Sequence, residues 1–248
     1  MSRPPTPPTV RRVTGADLPE LSKLLVRAFD DDPVSNYVFS GDRRRQHGLR
    51  AFFNALLRHQ YVPLGEVYTT ADLGGAALWG PPGRRRQPLR ELISLLPAAP
   101  HLLGPRLVPA LRFLARVDSL HPKEPHLYLA TLGTEPDRQG KGIGSALLSS
   151  ALARIDEEGT PAYLESSKAR NVPLYARYGF EVIDEMQPVD GSPPMWRMWR
   201  EPRPPGHCPC RWPTSRSTRR LRRDTRGRVQ RPGPPALRQC PGRSGAGR

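Results

Sequence analysis

Three consecutive stretches of this chain restrict its fold more than any other feature. His126–Thr134 (HLYLATLGT) has the length and composition of a central strand. Glu135-Pro-Asp-Arg-Gln-Gly-Lys-Gly-Ile-Gly is a turn dense in glycine, and Ile143, Leu147, Leu148, Ala151, Leu152 and Ile155 then recur at helical spacing up to Glu158-Gly159. A further strand-like run follows at Ala162–Leu164. Strand, glycine loop, long helix and strand in that order describe a βαβ-like crossover and place the chain among α/β folds.

The loop itself points to an anion. Gly140, Gly142 and Gly144 let main-chain N–H groups approach a ligand with no Cβ in the way. The helix that follows adds unpaired N–H groups and its dipole, and Arg138 and Lys141 add positive charge. The site therefore suits a phosphate or pyrophosphate, against the plainer alternative of a turn that binds nothing. A phosphate-loop hydrolase would need four residues between its first glycine and a Gly-Lys pair, then Ser or Thr, and that spacing is absent. A dinucleotide fold would carry its fingerprint on the first strand, with an acid after the next strand. Glu158 lies at a helix end instead.

Gln139-Gly-Lys-Gly-Ile-Gly resembles the Q/R-x-x-G-x-G/A pattern of the GCN5-related N-acetyltransferase (GNAT) superfamily, with Gln139, Gly142 and Gly144 on the patterned positions. The likeness continues through Leu164-Glu-Ser-Ser-Lys-Ala-Arg-Asn-Val-Pro-Leu-Tyr-Ala-Arg-Tyr-Gly-Phe, with Asn171, Tyr175, Gly179 and Phe180 in the family's order. It covers about residues 10–202 and is strongest from 126 to 202. The closing Pro193-Pro-Met-Trp-Arg-Met-Trp-Arg-Glu-Pro resembles actinobacterial members, and with the Asn-Val-Pro-Leu-Tyr run it is most similar to enzymes of the puromycin N-acetyltransferase type.

The resemblance implies an α/β (α+β) fold: a mixed, mostly antiparallel central sheet flanked by helices, with a splayed strand pair at the cofactor. It implies acetyl-coenzyme A as cosubstrate, no metal, and direct acetyl transfer to a primary amine of a small molecule. Cofactor contacts are expected from Leu132, Gly133, Thr134, Arg138, Gln139, Gly140, Lys141, Gly142, Ile143, Gly144 and Asn171. A main-chain N–H near Leu132 would polarise the thioester carbonyl. Tyr175 is the expected general acid, since a phenol with a pKa of about 10 starts protonated; the alternative is a purely packing role. Asn171 has a cofactor role or an N-cap role open to it.

The general base is less sharply marked. Glu165 follows the Ala162–Leu164 strand and is the catalytic candidate, against an ordinary exposed charge. His126 and Glu135 flank the cofactor strand, and His101 and His121 lie in loops. Asp30, Asp31 and Asp32 would attract a cationic amine or simply form an acidic helix terminus. Tyr178 is expected to be a core or lid aromatic.

Elsewhere, Val10–Val13 reads as a short strand, and a helix is expected from Thr14 or Asp17 with Pro19 in its first turn. A second helix is expected over Arg44–His59, with Leu49, Phe52, Phe53, Leu56 and Leu57 on its apolar face. Val67–Thr70 and Ala76–Trp79 form a hairpin around Asp72-Leu-Gly-Gly. Prolines at 97, 100, 105 and 109 break Leu89–Val117 into two short helices or one interrupted helix, with Leu107, Leu111, Leu114 and Ala115 on one face. Asn171–Tyr178 is a short helix, and Phe180–Met186 and Met195–Arg200 are the final strands. Phe29–Phe39, the Arg44–His59 helix and Leu89–Val117 would set the choice of acceptor, the last also offering a homodimer surface.

Composition matters chiefly through its unevenness. The formal net charge is +16, but residues 201–248 hold 13 arginines, no lysine and two acids, so they contribute +11 of it. This expectation makes 203–248 a disordered Arg/Pro/Gly-rich tail, an extension or the product of a changed reading frame, and 1–9 a flexible lead-in. No nucleic-acid motif accompanies the charge, so specific nucleic-acid binding is not expected, although the basic tail would allow nonspecific contacts. All three cysteines (208, 210 and 240) lie in the tail. A cysteine-free body and no signal-like or membrane-spanning run suggest a cytoplasmic protein.

Overall fold

In the computed structural model, residues 8–39, 41–82 and 103–203 are described here. All of the described residues belong to one compact unit. The expected tail, most of the lead-in, His101 and the first part of Leu89–Val117 lie outside the described residues.

The strands are β1 (Val10–Arg12), β2 (Val67–Thr70), β3 (Gly75–Gly80), β4 (Leu127–Thr134), β5 (Ala162–Ser166), β6 (Glu181–Met186) and β7 (Met195–Arg200). They form one sheet in the order β1-β2-β3-β4-β5-β7-β6. Only the β4–β5 pairing is parallel. The helices used below are α1 (Leu18–Ala28), α2 (Pro33–Val38), α3 (Asp42–Ala55), α4 (Leu107–Ser119), α5 (Ile143–Glu158) and α6 (Val172–Arg177).

Strand alternation distributes the core over both faces of the sheet. Ala76 and Leu78 of β3 pack with Leu21, Leu24 and Leu25 of α1 and Leu49 and Phe53 of α3. Ala77 and Trp79 of the same strand pack on the other face with Leu147, Leu148, Ala151 and Ile155 of α5. The whole apolar stripe expected for α5 is buried, and Gly159 ends the helix at φ +64°. At the other end of the chain Thr14 and Asp17 form a capping box ahead of α1, with Pro19 in its first turn.

Three expectations need adjustment. The second helix begins at Asp42 and continues past Ala55 as a π-helical segment, Leu56–Tyr61, which keeps Leu56, Leu57 and Tyr61 buried. Helix α2 was not expected, because six residues are too few to show periodicity. It forms because Asp32 accepts hydrogen bonds from the amides of Val34 and Ser35 while Pro33 takes the first turn. On α4 the buried residues are Ala110, Phe113 and Val117, not the leucine face with Ala115. Phe113 and Val117 meet Met186 and Met195 of the last two strands, so the aromatic and β-branched positions decide which side turns inward.

Candidate functional site

The site begins where β4 and β5 part. Their pairing runs Leu127↔Ala162, Tyr128↔Tyr163 and Leu129↔Leu164, then stops. Opposite this point the β3–β4 register slips at Leu78/Trp79, so that Leu78 pairs with Thr131 and Trp79 with Leu129. This bulge leaves Ala130 as the extra residue and changes the phase of the strand. Beyond it, the Glu135 amide donates to Gly74 O at 3.0 Å, so Gly133 and Thr131 also face β3. Leu132 and Thr134 therefore turn their main-chain groups to the open edge. Among the described residues these β4 amides are unpaired, because the neighbouring strand has diverged.

A cleft of about 380 Å³ fills the opening. One end is walled by Gln139, Gly140, Gly142, Ile143, Gly144 and Ser145, and the other by Phe29, Asp32 and Glu165. Asn171, Leu174, Tyr175 and Arg177 of the α6 segment close one side. Gly140 (φ +76°) and Gly142 (φ +82°) occupy the left-handed region, which a side chain would strain. The first bond closing α5 runs from Ala146 N to Gly142 O. The amides from Gly140 to Ser145 consequently have no hydrogen-bond partner among the described residues, and those at the helix start carry its positive dipole end. A phosphate or pyrophosphate fits this arrangement with no further side chain required.

Most residues expected to hold the cofactor do line the cleft: Leu132, Gly133, Thr134, Gln139, Gly140, Gly142, Ile143, Gly144 and Asn171. Lys141 instead lines a groove on the outer side of the loop with Pro8, Val10, Ser149 and Tyr178. Arg138 departs from the expectation. Its guanidinium is paired with Asp72 of the β2–β3 turn and is not part of the cleft wall. Arg177, which the sequence reading passed over, is an exposed cation on the cleft; Lys168 and Arg170 line it as well but pair with Asp31.

Tyr175 is 7 % exposed, its ring set at 71° to that of Phe180 with centroids 6.1 Å apart. Among the described residues its hydroxyl has no hydrogen-bond partner. Burial, then the nearby Asp32 charge, pushes its pKa above the ordinary phenol value, which favours the protonated form. Asn171 stands at the N-cap of α6, but its side chain makes no capping bond. Its amide group is thus available on the cleft.

Glu165 is not an exposed surface charge. Its side chain is 3 % exposed, accepts from the Tyr128 hydroxyl at 2.6 Å, and lies 3.3 Å from His121 Nδ1. The other base candidates separate clearly. Glu135 is engaged by Arg27, with Nε 2.7 Å from Oε1. His126 is buried behind His121 and does not line the cleft.

The three aspartates have three different duties. Asp30 binds Arg45 and Gln46, and Asp31 pairs with Lys168 and Arg170. Asp32, 3 % exposed, caps α2 and also accepts from Ser167. These contacts tie the turn after α1 to the segment after β5 and so fix this end of the cleft. The Asp-Pro pair at 32–33 was the available signal for this, an N-cap followed by a first-turn proline.

The geometry offers an anion-binding loop at one end, unpaired strand amides in the middle, and a protonated phenol and a buried carboxylate beside them. Residues 111–182 match the family model described as an acetyltransferase (GNAT) domain. That span includes β4, the glycine loop, Glu165 and Tyr175. The chain is similar to an uncharacterized N-acetyltransferase of Schizosaccharomyces pombe, 29 % identical over 185 residues, covering 68 % of this chain and 73 % of the relative. Among solved structures it is similar to one described as histone acetyltransferase HPA2 and related acetyltransferase from Corynebacterium glutamicum (TM-score 0.62, 28 % identity, 82 % of this chain and all of that one). The fold is also shared with a Drosophila melanogaster polyamine N-acetyltransferase that forms N-acetylagmatine (TM-score 0.54, 15 % identity, 78 % of this chain and 99 % of that one).

Proposed function

We propose a function for a chain that belongs to the GNAT acetyltransferases: transfer of the acetyl group of acetyl-coenzyme A to a primary amine of a small molecule. Acetyl transfer is the family's activity; the acceptor class is our reading. The observation that carries it is a single cleft with the glycine loop at one end and the buried carboxylates of Glu165 and Asp32 at the other. The loop suits the pyrophosphate of the cosubstrate, and the carboxylates suit a cationic amine.

The chain's own groups divide the work. The amides from Gly140 to Ser145 bind the pyrophosphate, with Lys141 and Arg177 adding charge. The Leu132 amide on the open edge of β4 polarises the thioester carbonyl and stabilises the charge that develops there. Asn171 orients the pantetheine arm. Glu165 takes a proton from the acceptor ammonium, and Tyr175 returns one to the departing thiolate. Phe29 and the Asp32–Ser167 contact hold the acceptor end in shape.

The test is thiol release from acetyl-coenzyme A by the full chain over a panel of primary amines, including amino-nucleosides such as puromycin, diamines and a lysine peptide. Acetylation of one or more small amines in preference to the peptide is the expected result. Tight cofactor binding with no turnover over the panel would instead make this an acetyl-coenzyme A-binding regulatory domain.

A further inference from the structure

A buried array of titratable groups lies behind Glu165, and the chemistry above uses only its first member. Leu127, Leu129, Leu164 and Met198 pack toward α5. By alternation, Tyr128, Tyr163, Glu165, Arg197 and Trp199 share the opposite face of β4, β5 and β7. His121, two residues beyond α4, lies on that face with its ring edge-on to Tyr128 (centroids 4.9 Å apart) and to Tyr163 (5.0 Å).

Four contacts link the array. Tyr128 donates to Glu165 Oε2 at 2.6 Å, and His121 Nδ1 lies 3.3 Å from Glu165 Oε1. His121 Nε2 is 3.1 Å from His126 Nε2, and His126 Nδ1 is 2.6 Å from the Glu124 main-chain oxygen. The hydrogens can be counted. A carbonyl oxygen only accepts, so His126 Nδ1 carries a hydrogen; the two Nε2 atoms need one between them; and the contact of His121 Nδ1 with Glu165 Oε1 needs a third, because an ionised carboxylate only accepts. Two neutral imidazoles bring only two. Without the third, two acceptors would face each other in a buried site.

We propose that His121 and His126 hold this third proton beside Glu165 and so set its protonation, which makes them positioning residues for the base. The proposal rests on the acetyl-transfer reading of the cleft. The remaining groups facing the imidazoles fit it. Tyr163, on β5, accepts from Arg197 Nε of β7 at 3.1 Å and also interacts with Glu165, while the Arg197 guanidinium pairs with Asp184 of β6 at 3.3 Å. Trp199 lies against His126 with ring centroids 5.5 Å apart. Burial pushes the His126 imidazole below its ordinary range, which disfavours a second hydrogen on that ring.

The protons balance. An N–H bond of the acceptor ammonium breaks and its proton passes to Glu165; the freed electron pair forms the bond to the acetyl carbon. The C–S bond breaks and the thiolate takes the Tyr175 proton, which the nitrogen's second proton replaces. The array, now one proton over, loses it to water through His121, whose side chain is 14 % exposed.

Two readouts on the full chain test this. Long-range nitrogen–proton NMR of the imidazoles at neutral pH should show His126 with hydrogen on Nδ1 alone and His121 with hydrogen at both nitrogens. In the pH profile of kcat/KM, His121→Leu and His126→Leu should move the ascending limb upward by about 1 unit or more, because a buried carboxylate loses its positive neighbour. His126→Gln should restore the wild-type profile, since its amide accepts from His121 and donates to Glu124 O. Acetyl-coenzyme A affinity should be unchanged in all three, which separates this effect from misfolding. Two singly protonated imidazoles, or an ascending limb that no variant moves, would overturn the proposal. If the wild type acetylates no amine, the acetyl-transfer reading fails, and the NMR result still decides the proton count.

Discussion

Replacing Tyr175 with Phe separates chemistry from architecture more cleanly than any other change in the cleft. The ring stays in place: it is 7 % exposed, packs against Phe180 and belongs to the α5-side core. The hydroxyl has no protein partner among the described residues, so its removal leaves no orphaned donor or acceptor. Stability should therefore change by less than about 1 kcal/mol, and the melting temperature should hardly move. Acetyl-coenzyme A affinity, for which the proposed contacts are the Gly140–Ser145 amides with Lys141, Asn171 and Arg177, should be unaffected by the loss of this hydroxyl. Turnover should fall about 100-fold or more, the usual contribution of a positioned general acid, equivalent to about 2.7 kcal/mol in the barrier. The assay is steady-state thiol release at saturating amine and cosubstrate, paired with calorimetric titration of acetyl-coenzyme A. Because burial and the Asp32 charge raise the phenol's pKa, the wild type should show no decline from Tyr175 ionisation up to pH about 10. A Tyr175→Phe enzyme with near-normal kcat would refute the acid role and leave Tyr175 as a packing residue.

Three further outcomes are expected. Gly142→Ala places a Cβ where nothing lies within 4 Å, so its cost is conformational: about 1 kcal/mol of stability at φ +82°, read by chemical denaturation, with weaker acetyl-coenzyme A binding by titration. Lys141→Ala should weaken cosubstrate binding, as its salt dependence will show, more than Arg138→Ala, whose guanidinium is already taken by Asp72. Asp156→Ala strands Arg200, 2 % exposed and bonded to it at 2.7 Å, and should cost about 3 kcal/mol in denaturant unfolding. Burial pushes the Asp156 carboxyl up, but the bonds from Arg200 and the Arg203 amide outweigh it and hold it below the usual carboxylate range. That stability is therefore present above about pH 3.9, the ordinary aspartate value, and lost as pH falls through the lower folded value; the acid-unfolding midpoint of Asp156→Ala should show its absence.

The crossover at the heart of this fold was readable because every local signal agreed. The β4 run, the three glycines and the six-residue stripe of α5 each point the same way, and the stripe is buried without exception. Residues whose role depends on partners far along the chain were harder to read. In the sequence Glu165 is a catalytic candidate by its position alone, with an exposed charge as the alternative, because nothing in its neighbourhood announces Tyr128 and His121, which reach it across the sheet from 37 and 44 residues away. Arg138 looked like a phosphate ligand until the β2–β3 turn brought Asp72 to it. The face read for α4 is offset: Leu107 and Leu114 pack half-buried against the core, but the fully buried positions are Ala110, Phe113 and Val117, because leucine spacing alone ignores which face meets Met186 and Met195. The bulge that opens β4 leaves no mark on composition. It exists because one strand register slips against another, and only the assembled sheet records that.

The central claim is that the opening between β4 and β5 joins acetyl-coenzyme A to an amine. It is tested most directly by measuring, in one reaction, the thiol released and the mass of the amine product. The account predicts one acetylated amine for each thiol, with both lost together in Glu165→Gln and Tyr175→Phe. Thiol release without an acetylated amine, or product that forms undiminished in both variants, would contradict it.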